Sequence, residues 1–126
     1  MTTPKRCPCG TGETYDDCCG PFHRGAASAP TAEHLMRSRF SAFAVGDAGY
    51  LVRTWSAKTR PERLELDPDQ RWVLLEVLGR TGGGLLQSDG TVEFVAHYRF
   101  RGERGELREN SLFAREDSTW KYVRAL

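Results

Sequence analysis

The chain contains four cysteines, and all of them lie in one segment, C-P-C-G-T-G-E-T-Y-D-D-C-C-G, as Cys7, Cys9, Cys18 and Cys19. Thiols this crowded suit a disulfide, a redox pair or a metal site. Adjacent Cys18 and Cys19 close on each other only through a strained ring. A thioredoxin-like redox site needs Cys-x-x-Cys at a strand-to-helix junction, and neither the spacing nor a preceding strand is present. Four thiolates complete a tetrahedral structural zinc site and leave no position open for water. Gly10 and Gly12 supply backbone able to turn with positive φ over a metal. An iron–sulfur cluster takes the same ligands and stays open as the second reading.

Two further sets of residues carry chemistry. His23 follows closely after Cys19, but with four thiolates at hand it reads as a surface or packing histidine, not a ligand. In L-R-E-N-S-L-F, strand parity puts Leu107, Glu109, Ser111 and Phe113 on one face, and the bulk of Leu107 and Phe113 turns that face inward. Glu109 and Ser111 then point at the helices, with Tyr98, Trp120 and Tyr122 as aromatic walls of a candidate small-ligand pocket. The competing reading is a fixed core ion pair between Glu109 and Arg37 or Arg39.

The elements that must position these groups follow from pattern. Residues 21–30, P-F-H-R-G-A-A-S-A-P, read as a linker. Thr31 caps a helix over Ala32 to about Val45, with Leu35, Met36, Phe40 and Phe43 near one face, Arg37 opposite and His34 in the first turn. Gly46 ends that helix, and Asp47 caps a shorter one whose apolar side is Tyr50, Leu51 and Trp55. Residues 61–70 read as a loop. Beyond Trp72 the period becomes extended, and T-V-E-F-V-A-H-Y-R-F alternates Val92, Phe94, Ala96, Tyr98 and Phe100 on one side, with His97 on the other. The expectation is an α+β domain in which about four antiparallel strands follow two helices that cover one sheet face.

A chain of 126 residues builds one compact core with a small appendage. With 18 Lys plus Arg against 17 Asp plus Glu, no global field draws it to nucleic acid or an anionic membrane. The start M-T-T-P-K-R has no apolar leader and no later run suits a spanning helix, so a cytoplasmic protein is expected. Thiols stay reduced there, which favours metal over disulfide. Neither a Gly-rich phosphate loop, a nucleophile elbow nor a His-x-x-x-His pair marks an enzyme.

The cysteine segment closely resembles the SEC-C motif, a small zinc-binding segment also found at the C-terminus of the protein-translocation motor. Together with C-C-G-P-F-H-R-G, L-M-R-S-R-F-S-A-F, V-E-F-V-A-H-Y, E-N-S-L-F and W-K-Y-V, it resembles the YchJ family of bacterial proteins over nearly the whole chain. The resemblance implies a knuckle at residues 1–22 that binds structural Zn2+ through Cys7, Cys9, Cys18 and Cys19. It further implies a nuclear-transport-factor-two-like (cystatin-like) domain at residues 23–126, with helices packed on a curved antiparallel sheet. No activity comes with it. Motor SEC-C segments tend to carry lysines between the cysteine pairs, whereas this chain has Glu13, Asp16 and Asp17. A zinc-loaded knuckle is then net negative, so nucleic acid is a poor partner and a basic protein surface a better one. The expected role is a protein-interaction or adaptor module, in export or quality control. The alternative is a small-molecule-binding domain or a hydrolase- or isomerase-type enzyme built on the pocket.

Overall fold

The computed structural model describes residues 5–126. Helix α1 spans Gly20–His23, α2 Ala32–Val45 and α3 Ala48–Arg53. The caps are those the sequence predicts. The Thr31 hydroxyl accepts from His34 N at 3.1 Å, and the Asp47 carboxylate from Tyr50 N at 3.0 Å, each satisfying a donor that the first helical turn leaves free. Gly46 stops α2 in the left-handed conformation, at φ 81°.

Strands β1 (Gln70–Gly82), β2 (Asp89–Phe100), β3 (Glu103–Glu116) and β4 (Thr119–Ala125) form one antiparallel sheet in the order β1-β2-β3-β4. Strand β2 buries Val92, Phe94 and Ala96, as its alternation requires. Strand β1 does not alternate simply. Its pairing with β2 skips between Trp72 and Leu74 and between Val77 and Gly79, and the two skipped residues, Val73 and Leu78, are exposed. These bulges let Trp72, Leu75 and Val77 all pack on the helix side while bending the strand. At the other edge, Tyr122 N donates to Thr54 O at 2.8 Å and Ser56 N to Tyr122 O at 2.7 Å, so residues 54–56 lie against β4.

Helix α2 lies on one face of the sheet, touching β1, β2 and β4. Leu35, Met36, Phe40 and Ala42 meet Leu75, Val92, Phe94, Phe113 and Trp120 in a single core. Each large side chain removed from water there contributes roughly 1.5–3 kcal/mol. The stretch 21–30 is no linker. It holds most of α1 and buries His23 and Ala29, because its small side chains let the backbone settle closely enough for Trp120 Nε1 to donate to Pro30 O at 3.1 Å. Among the described residues no helix is long and apolar enough to cross a membrane.

Candidate functional site

The four cysteines converge. Antiparallel backbone contacts close the first loop, with Cys7 N donating to Glu13 O at 2.8 Å and Tyr15 N to Lys5 O at 2.9 Å. Gly10 and Gly12, at φ 87° and 89°, make the reversals that return the chain. A 3-10 turn over Tyr15–Asp17 then delivers Cys18 and Cys19 immediately before α1. The four Sγ atoms lie within 4.8 Å of one another, with 3.6 Å between Cys9 and Cys18 and 3.9 Å between Cys18 and Cys19. A tetrahedron of thiolates at ~2.3 Å from a metal has edges of about 3.8 Å, so the nest has the dimensions of a four-sulfur metal site. Cys7, Cys9 and Cys19 are buried and none of the four is in a disulfide.

Side chains around the nest address the sulfurs. The Ser41 hydroxyl, on α2, lies 3.3 Å from Cys7 Sγ and 3.3 Å from Cys19 Sγ. The Thr11 hydroxyl lies 3.2 Å from Cys18 Sγ. Arg37, one turn before Ser41, donates to Cys9 O at 2.9 Å and to Glu33 at 3.1 Å, and Glu33 also meets Arg80. Burial works against the Glu33 charge, but Arg37 and then Arg80 outweigh it and hold its carboxyl below the usual range. Among the thiols, the Cys19 hydrogen bond first and the Cys9 bond next hold Cys7 below the ordinary range. The contact with Cys7 pushes Cys19 above it, and burial pushes Cys18 up to about 11. Ionising one thiol thus opposes ionising its neighbours, and a bound cation removes that opposition.

His23 is not at the surface. Its ring is buried, with Nε2 2.8 Å from Ser38 O. A carbonyl only accepts, so Nε2 carries hydrogen, and in the neutral ring Nδ1 is left to accept from the Tyr15 hydroxyl. Tyr50 joins from α3, its hydroxyl 2.7 Å from Ser38 Oγ. This polar network and the Ser41 and Arg37 contacts seat the cysteine segment on α2.

The second group of predicted residues is only partly brought together. Glu109, Ser111 and Tyr122 line a chamber of about 220 Å³ between α2 and the sheet, with Arg39 and Trp55 beside them. Leu107 stands in its wall, 44% exposed. Tyr98 and Trp120 lie outside. The Tyr98 ring covers Gly105, its cross-strand partner, where a Cβ would come within 2.5 Å of Tyr98 Cζ. Trp120 is buried under Pro30 with Arg115 over its ring. The core ion pair is also absent. Arg37 serves the cysteine segment, and Arg39 has no carboxylate within salt-bridge distance among the described residues. Glu109 accepts instead from Ser111 and, at 3.3 Å, from Tyr122.

Sequence reasoning missed Ser41 and Thr11 at the sulfurs, and Trp55 and Arg39 as chamber groups. Arg37 and Ser41 stand four residues apart on one helix, a spacing that shares a face and was the available signal.

Comparison with known proteins agrees with this two-part geometry. A profile for the SEC-C motif matches residues 4–21, and one described as "YchJ, middle NTF2-like domain" matches residues 31–125. A UPF0225 protein of Streptomyces coelicolor is 54% identical over 98% of this chain and 95% of its own. One from Cupriavidus metallidurans is 48% identical over 97% and 89%. The solution structure of a SEC-C motif containing protein from Rhodopseudomonas palustris superposes with a TM-score of 0.83 at 36% identity, covering 95% of this chain and 96% of that one. The crystal structure of a SEC-C motif containing protein from Psychrobacter arcticus has a TM-score of 0.77 at 28% identity, covering 94% and 80%. The chain therefore belongs to the YchJ family, the UPF0225 proteins, and carries the SEC-C motif ahead of an NTF2-like α+β domain.

Proposed function

We propose that Cys7, Cys9, Cys18 and Cys19 hold one structural Zn2+, and that the knuckle so formed is a docking element for a protein partner in the cytoplasm. The observation that carries the metal reading is the sulfur nest itself: four ligand atoms within 4.8 Å, three of the cysteines buried, and hydroxyls from Ser41 and Thr11 on the sulfurs. An all-thiolate, closed donor set favours zinc in a structural role, since no position is left for a water or substrate. Elemental analysis of protein purified without added metal tests this. The expected result is one zinc per chain, and an iron–sulfur chromophore or a metal-free protein overturns it.

Support for the docking role comes from what the knuckle shows to solvent. Glu13, Asp16 and Asp17 are exposed on the loop and turn between the cysteine pairs, a negative surface suited to a basic protein face and unsuited to phosphates. Affinity capture with the native protein and with a Glu13→Lys/Asp16→Lys/Asp17→Lys form compares the two directly. The partner is expected to bind the native form alone and to dissociate as salt rises. Equal recovery by both forms removes the knuckle as the recognition element.

A further inference from the structure

The chamber under α2 is independent of the metal reading. Phe40, Phe43, Trp72 and Phe94 make it aromatic, and its volume of about 220 Å³ exceeds the ~150 Å³ that holds a benzene in an apolar core. Its polar groups are unusual in being only half used. Trp55 Nε1 is buried with no acceptor among the described residues. Arg39 is 4% exposed, yet both of its hydrogen bonds leave from Nη1, to Leu51 O and to Thr54 Oγ1, each at 2.8 Å. Its guanidinium is stacked over the rings of Trp55 and Tyr122, at 5.2 and 4.8 Å from their centroids. Across the chamber, Glu109 takes both of its hydrogen bonds, from Ser111 and Tyr122, on Oε2, leaving Oε1 as an acceptor.

One guanidinium and one carboxylate facing the same space, without touching, leave it without net charge. An anionic ligand is then opposed by Glu109 and a cationic one by Arg39, whereas a neutral acceptor meets donors and a neutral donor meets Glu109 Oε1. We propose that this chamber binds a small, flat, uncharged aromatic molecule whose carbonyl-type oxygen accepts from Arg39 and whose N–H or O–H donates to Glu109, with its ring against Trp55 and Trp72. The class is that of aromatic amides and related heteroaromatic rings.

The test uses three probes with one ring and three charges, benzamide, benzoate and benzylamine, titrated into 15N-labelled full-length protein. The indole N–H signals of Trp55, Trp72 and Trp120 report the site, with Trp55→Phe identifying the first. Benzamide is expected to shift the Trp55 signal saturably and the Trp72 signal with it, while Trp120, outside the chamber, stays still. Benzoate and benzylamine should bind about tenfold more weakly or not at all, each facing a like charge. Leu107→Trp, which fills the mouth from an exposed position, should abolish binding without unfolding the sheet. A Trp55 signal unmoved by benzamide overturns the proposal. Tighter binding of benzoate or benzylamine, or equal shifts at Trp120, overturns it too.

Discussion

The cysteine segment and the sheet domain are ordered by opposite means. Among the described residues the only other hydrophobic side chain packed around the thiols is Tyr15, so the segment buries too little apolar surface to hold itself against chain entropy. The sheet domain has a continuous hydrophobic core that includes Leu35, Phe40, Phe113 and Trp120. The two meet on α2, where Arg37, Ser38 and Ser41 face the segment while Met36, Arg39 and Phe40 face the chamber. One helix thus serves a region ordered by coordination and a region ordered by the hydrophobic effect, using neighbouring residues for each.

The sharpest break in this comparison is metal removal. Structural zinc sites supply about 10–16 kcal/mol of folding free energy in isolated fingers, so chelation, or Cys18→Ser/Cys19→Ser, should free the amides of residues 5–20 to exchange. Those of β2 and β3 should stay protected. Hydrogen exchange read residue by residue checks this, and equal loss in both regions would show that the sheet also depends on the ion. The converse is Phe113→Ala, at a fully buried site, which should cost about 3–5 kcal/mol in chemical denaturation without lowering the metal content of folded protein.

Smaller changes sharpen the boundary. Ser41→Ala removes the hydroxyl shared by Cys7 and Cys19 and should weaken metal affinity about 10–100-fold, as losses around a metal ligand do, measured by chelator competition. Glu109→Gln should cost about 1 kcal/mol or less by thermal denaturation, since Glu109 has no ion pair to lose and an amide oxygen still accepts from Ser111 and Tyr122. The smallest effect concerns pH. The Glu33 carboxyl is held below its ordinary value of 4.5, so its contribution is complete above that value and fades as pH falls through the lowered one. Glu33→Gln should therefore flatten the acid limb of the stability profile below about pH 4.5, with its small loss of stability present at neutral pH and vanishing as the native carboxyl protonates.

Much of this was legible in the residues. Cysteine crowding pointed to the metal nest because four thiolates admit few other uses, and the caps at Thr31, Gly46 and Asp47 marked both helices because local hydrogen bonds decide them. Parity placed Glu109 and Ser111 on the inner face of β3. What stayed hidden depended on partners far away in the chain. Val73 and Leu78 look like any strand residues until β2 skips them. Inward parity puts Tyr98 in the chamber wall but does not say how far along the strand the chamber reaches, and a ring opposite Gly105 settles over the gap that glycine leaves. A lone charge in a core is rare, which makes an acid the expected partner of Arg39, yet a backbone carbonyl, a threonine hydroxyl and two aromatic rings hold it.

Strand β1 runs along one border of the sheet for thirteen residues, Gln70–Gly82, and a border of that length is a template on which another chain can grow. The two bulges interrupt its spacing at Val73 and Leu78, and Arg71, Glu76 and Arg80 stand exposed along it. A foreign strand would find the backbone rhythm broken twice and charges to bury at each attempt. The irregularity that bends the sheet around its core thereby also guards the protein against edge-to-edge aggregation.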